Sequence, residues 1–167
     1  MKQRKVPIRY VPSTLSTKDR SAQIRMLNLS KRMYKKHRYY TRRQLPSYHN
    51  RTSKHILHAR RLYGVDKVAP NKQLATATGC SIEAMEKIVN KGAGAYFSSG
   101  SRPNQTAQSW GIARLASSLT GGKSAAVDYN ILYDGCDHTK RAFRLANQSR
   151  KKYGHGQSSS KKTTIST

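Results

Sequence analysis

Acidic residues are scarce in this chain. Its 167 residues hold 7 Asp and Glu against 33 Lys and Arg, a formal net charge of +26. General acid–base catalysis draws heavily on carboxylates, so candidates are few and no enzyme activity is expected. Large aliphatic side chains and phenylalanine are scarce too: Leu, Ile, Val and Phe number 11, 8, 6 and 2. Their share falls below the ~20% under which a highly charged chain is expected to be partly disordered. A core drawn from so few is marginal, and mobile termini are expected in the isolated protein. No apolar run nears the ~20 residues that a membrane span needs. The stretch from Met1 to Tyr10 is charged and no apolar segment follows it. No secretory leader is therefore expected, and the protein reads as intracellular or assembled inside a cell. The two cysteines, Cys80 and Cys136, are too few for a disulfide framework in a chain of this size.

What is present is positive charge, unevenly spread. Residues 1–63 carry 18 Lys and Arg against Asp19 alone, a net of +17. Residues 64–135 carry 7 against 5, and residues 136–167 carry 8 against 1. This predicts a basic arm with one or two helices, a near-neutral compact core, and a basic C-terminal helix and tail. Basic flanks around a neutral centre suit a protein whose arms touch anions. Solubility alone does not need so lopsided a balance.

The predicted fold is mainly α: a small helical core containing a helix-turn-helix-like hairpin, a long extended basic N-terminal arm, and a polar basic C-terminal tail. Pro7 and Pro12 favour extended backbone in the arm, residues 1–15. Ser16, with Asp19 three residues on, caps a helix running to about Lys36. Its apolar stripe is thin, Ile24 and Leu27 extended by Tyr34, so the helix needs a partner surface. Next, Tyr39 and Tyr40 are interleaved with cations. Such a run suits base stacking with phosphate contact, and equally suits Tyr and Arg anchoring a protein interface. The residues expected to bind nucleic acid or another anionic partner are Arg25, Lys31, Arg32, Lys35, Lys36, Arg38, Tyr39, Tyr40, Arg42 and Arg43.

Ser53 caps a short helix that Gly64 stops. His55 and His58 lie three apart on it, but no third and fourth ligand follows with zinc-site spacing, so no metal is expected. Asn71 caps residues 72–78, Gly79 turns the chain, and residues 82–91 form the second helix of the hairpin, with Gly92 after it. Read as a major-groove reader, that second helix would present Glu83 and Glu86 to phosphates, which disfavours it; a structural hairpin fits better. Residues 91–95 read as a flexible run.

The central helix is expected over residues 105–120. Ile112, Leu115 and Leu119 share a face, with Trp110 beside it. Together with Tyr96 and Phe97 these six are the expected core or interface anchors, gathered in one compact heart. Gly122-Lys123-Ser124 invites a phosphate-loop reading, but that motif needs glycine where Ser117 stands, and a strand before it. Residues 125–132 fit a short strand or a buried helical turn. Cys136 beside His138 does not make a catalytic pair, since Asp137 is explained as the cap of a last helix running to about Lys152. Ser158 to Lys162 is a polar tail.

Two segments carry a family likeness: residues 96–110, Tyr-Phe-Ser-Ser-Gly-Ser-Arg-Pro-Asn-Gln-Thr-Ala-Gln-Ser-Trp, and residues 121–128, Gly-Gly-Lys-Ser-Ala-Ala-Val-Asp. The chain resembles the small basic proteins encoded by large DNA viruses of algae and their relatives, from about Arg9 to Cys136. The resemblance brings no catalytic residues with it. It implies a virion-associated protein without cofactor or small-molecule substrate. The expected role is a minor capsid protein on the inner face of the shell, with other capsid proteins, genomic DNA or an anionic inner membrane as partners. The alternative is a nonspecific DNA-binding or DNA-condensing protein.

Overall fold

A computed structural model describes residues 2–156 and 160–167. The chain is mainly α-helical. In order it forms β1 (Gln3–Pro7), α1 (Thr17–Lys35), α2 (Lys54–Tyr63), α3 (Lys72–Thr78), α4 (Ile82–Ser98), α5 (Ala107–Leu119), α6 (Lys123–Val127), α7 (Tyr129–Gly135), α8 (Arg141–Tyr153) and β2 (Lys162–Ser166). Local chemistry sets several of these bounds. The Ser16, Ser53 and Asn71 side chains each accept a backbone N–H from the first turn of the helix that follows. Gly64 and Gly79 leave their helices in the left-handed conformation.

These elements fall into two compact units interleaved along the sequence. The first comprises residues 2–51, 93–110 and 160–167; the second comprises residues 52–92 and 111–156. The charge-based segments 1–63, 64–135 and 136–167 do not coincide with them.

In the first unit the N-terminal arm is not free. β1 pairs antiparallel with β2, Gln3 opposite Ser166 and Pro7 opposite Lys162. Pro7 stands at the end of its strand, where a missing donor costs little. The ribbon turns Val6 and Ile165 inward onto Tyr10, Val11 and Leu27, with Ile24 and Trp110 packed against them. The partner surface for α1 is thus supplied by the chain itself. Polar side chains extend its thin apolar stripe: Gln23 Nε2 donates to the Tyr10 carbonyl at 3.0 Å and Asn28 Nδ2 to the Ser166 carbonyl at 2.8 Å. Leu15, Ala22, Met26 and Leu45 form a second cluster on α1, with Tyr40 and Tyr48 against it.

The second unit has the larger core, including Leu74, Met85, Ile88, Leu115, Leu119, Leu132, Phe143 and Ala146. Residues 91–95 are not a flexible run but part of the long helix α4. The reason lies at Gly92: a Cβ there would come within 2.6 Å of the Gly111 Cα, and one on Gly111 would overlap the Val89 carbonyl. The two glycines let backbones touch, which outweighs their helix cost of ~1 kcal/mol each. Residues 125–127 close α6 and residues 129–132 open α7, with Asp128 in a turn between them. The polar tail splits: Ser158 lies outside the described residues, while Lys162 opens β2.

Three local readings need correction. Asp137 does not cap α8; Lys140 occupies the N-cap, and the Asp137 carboxylate accepts from the Thr139 N–H and hydroxyl one turn earlier. Cys80 and Cys136 are joined in a disulfide. Two backbone hydrogen bonds flank it, Ser81 N–H to the Gly135 carbonyl and Asp137 N–H to the Gly79 carbonyl, both 2.8 Å. The turn of the α3–α4 hairpin is thereby clamped to the chain entering α8. Finally, the six expected anchors do not gather in one heart. Tyr96, Phe97 and Trp110 belong to the first unit, and Ile112, Leu115 and Leu119 to the second. Tyr96, Leu115 and Leu119 are fully buried, while Phe97, Trp110 and Ile112 are only partly so. Trp110 meets Tyr10 edge-on at 6.0 Å between centroids.

Candidate anion-binding face

The cationic face of the first unit is built from α1 and the irregular segment after it. α1 ends with His37 in the left-handed conformation (φ +57°). His37 N–H donates to the Tyr34 carbonyl and Arg38 N–H to the Met33 carbonyl. This is the paired bonding of a Schellman motif with histidine in the usual glycine position. The chain then runs to Ser53 without regular structure, yet it is held at several points.

Arg42 is the main one. Its N–H donates to the Tyr96 hydroxyl at 2.9 Å. Its guanidinium donates to the Ser30 hydroxyl (3.0 Å), the Tyr96 carbonyl (2.9 Å) and the Ser101 hydroxyl (2.8 Å). The guanidinium carbon lies 3.8 Å from the Tyr96 ring centroid. Arg42 is buried, 6% exposed. Burial pulls its pKa down from the ordinary arginine value, but a guanidinium stays charged in proteins. The charge rests on hydroxyls, a carbonyl and a π face rather than a carboxylate.

Asn104 holds the second point. It adopts φ +62°, a conformation that asparagine tolerates better than most residues. Its Oδ1 accepts the Leu45 N–H at 2.6 Å, and its Nδ2 donates to the Leu45 and Tyr48 carbonyls. Asp19 holds the third: its Oδ2 accepts the Ser47 N–H (2.9 Å) and hydroxyl (2.5 Å). Those Ser47 bonds hold the Asp19 carboxyl below the usual carboxylate range.

Asp19 is the only carboxylate side chain in the first unit, against 18 Lys and Arg. It is buried, 6% exposed, and engaged by Ser47. The exposed cations of α1 and the pinned segment therefore face solvent with no carboxylate side chain of their own unit among them. Arg25, Lys31, Arg32, Lys35, Lys36, Arg38 and Arg43 are all exposed. The crowding is felt locally: burial, then repulsion from Arg4 and Lys35, draws the Lys31 ammonium below its ordinary value. Arg4 has two buried guanidinium nitrogens, Nε and Nη2, that find no hydrogen-bond partner among the described residues.

Of the ten residues expected to bind an anion, nine lie exposed or half-buried and one does not. Arg42 is consumed in the scaffold. Tyr39 is 70% exposed but leans on Phe97, 5.1 Å between centroids, which in turn stacks on Tyr34. Tyr40 is half-buried and lines a groove of about 450 Å³ together with Arg25, Arg32 and Arg43, with Ala22, Met26, Asn28, Leu29 and Thr167 completing the lining.

The second unit holds a buried ionic centre that sequence reasoning missed. Arg114 Nε and Nη2 each donate to the Asp128 carboxylate at 2.8 Å, and Lys91 Nζ donates at 2.9 Å. Burial alone would raise the Asp128 pKa; the hydrogen bonds and charges of Arg114 and Lys91 outweigh it, and the carboxyl sits below its ordinary range. Nothing in the spacing of Lys91, Arg114 and Asp128 signals the cluster. Elsewhere in this unit, Gly121 (φ +73°) follows α5 and Lys123 opens the five-residue α6. A helix, not a strand, thus precedes the Gly-Lys-Ser segment. Cys136 has no free thiol, being disulfide-bonded. Glu83 and Glu86 lie on the exposed side of α4, Glu83 paired with Lys87 at 3.5 Å.

Residues 7–140 match the model of a family of unknown function, DUF5824. The chain belongs to this family. The matched span of DUF5824 includes α1, the pinned segment, the disulfide and the Asp128 cluster. No curated protein and no solved structure matches the chain.

Proposed function

We propose that this protein is a non-enzymatic polyanion-binding protein that grips nucleic acid without sequence preference, through the face formed by α1 and residues 37–51. One observation carries the reading: the only carboxylate side chain of the first unit is buried on Ser47, while seven expected cations stand exposed. Phosphate neutralisation by such a face releases counterions and supplies affinity independent of sequence. The pinning by Arg42, Asn104 and Asp19 limits the ordering cost of the segment on binding. The resemblance to proteins of large DNA viruses supports viral nucleic acid as the polyanion.

A minor capsid role is the second reading. The exposed Tyr39, resting on Phe97 and Tyr34, favours it, since Tyr and Arg also anchor protein interfaces. The pairing of β1 with β2 weighs against it, because the segment meant to lace between neighbours is tied into its own unit. The test is equilibrium binding of purified protein to unrelated DNA oligonucleotides and to polyglutamate. Comparable affinity for every DNA sequence is expected. Failure to bind any DNA at low ionic strength, with polyglutamate bound tightly, would overturn the nucleic-acid reading in favour of an acidic protein partner.

A further inference from the structure

The groove on the cationic face is more than a charged surface. Ala22, Met26 and Leu29 give its lining an apolar part, the half-buried Tyr40 an aromatic ring and Arg25, Arg32 and Arg43 three cations, with Asn28 and Thr167 beside them. Its volume, about 450 Å³, lies in the range of roughly 300–1,000 Å³ typical of small-ligand sites. A duplex offers such a groove phosphates, sugars and base edges but no base π face, because its bases are stacked. Phosphate contact needs cations but neither an apolar lining nor an aromatic ring. A single strand offers what the groove lacks: an unstacked base with a π face, flanked by phosphates. Aromatic stacking of a base is worth ~1–3 kcal/mol and tolerates any sequence, because every base has a π face.

We infer that this groove takes one unstacked nucleotide of a single strand, the base against Tyr40 and the apolar part of the lining and the flanking phosphates on Arg25, Arg32 and Arg43. The protein is then a single-strand-preferring binder rather than a duplex condenser. Two features fit this division of labour. Tyr40 packs against the cluster of Leu15, Ala22, Met26 and Leu45, which fixes one side of it. Arg43 follows the buried Arg42 directly, so its backbone is anchored where its side chain lines the groove.

The inference rests on the polyanion reading above, and the experiment separates the two. Full-length protein is titrated with three fluorescent probes carrying equal numbers of phosphates: an oligo-thymidine single strand, a duplex, and a strand of abasic units. The expected order is single strand tightest, by about tenfold or more, with duplex and abasic strand alike. Tyr40→Leu keeps apolar volume against the core and should cost the single strand about tenfold, which removes its lead over the duplex. Equal affinity for all three probes would overturn the nucleotide pocket and leave phosphate binding intact. No affinity for any of them would overturn both. Because the abasic comparison uses the unaltered protein, it decides the matter even if the Tyr40 variant fails to fold.

Discussion

The guanidinium of Arg42 lies 3.8 Å from the centroid of the Tyr96 ring and donates to the Tyr96 carbonyl at 2.9 Å. Tyr96 is fully buried and Arg42 nearly so. One step along the chain, Arg43 is exposed and lines the groove. Two adjacent arginines thus hold opposite offices, one fixing the backbone and the other standing exposed at the groove.

Substitution should separate them. Arg42→Lys keeps the charge but loses the planar fork, and three donors to the guanidinium's partners cannot all be replaced. With each such bond worth ~1.5–3 kcal/mol in burial, a net loss of about 2–3 kcal/mol in unfolding free energy is expected by chemical denaturation. Arg43→Gln should leave stability within about 0.5 kcal/mol and weaken oligonucleotide binding instead. Equal stability of both variants would remove Arg42 from the scaffold.

The Asp128 cluster should govern stability in acid. Its carboxylate is fully buried, Arg114 is largely so and Lys91 about half exposed. Asp128→Asn leaves two cations without their counter-charge. Breaking a fully buried pair costs ~3–5 kcal/mol; with Lys91 reaching water, about 2–4 kcal/mol is expected. Because the folded carboxyl titrates below its unfolded value of ~3.9, its contribution is complete above that pH. The contribution is lost as pH falls through the folded value. Thermal melting from pH 6 down to pH 2 should show this loss in the native protein and a shallower one in Asp128→Asn. Parallel curves for the two proteins would contradict the assignment.

The disulfide closes a loop of sequence separation 56. Chain-entropy reasoning gives about 4 kcal/mol for a loop of that length. A Cys80→Ala/Cys136→Ala double variant, and the native protein under reductant, should melt together and well below the oxidised form. Identical melting with and without reductant would show that the clamp at the hairpin turn is held by its two backbone hydrogen bonds alone.

How much of this was legible follows the range of each interaction. The caps Ser16, Ser53 and Asn71 and the stops Gly64 and Gly79 act within one turn, and each reads directly from sequence. The helical state of residues 91–95 does not, because the reason Gly92 is glycine is Gly111, in another helix. The same holds for β1, whose partner β2 lies at the far end of the chain, and for Cys80 with Cys136. The cationic face was legible as composition, since charge survives any folding. Arg42 and Arg43 are indistinguishable there: only Tyr96, Ser30 and Ser101, distant in sequence, decide which one turns inward.

The central claim is that the exposed cations of α1 and residues 37–51 bind phosphates. Its most direct test is the salt dependence of affinity for a DNA duplex of arbitrary sequence. Each phosphate neutralised contributes a slope of ~−0.9 to log K against log salt. With about five exposed cations engaged, a linear fall with slope near −4 or steeper is predicted, reduced by about one each in Arg25→Gln and Arg32→Gln. A slope near zero, or slopes unchanged in both variants, would contradict the account.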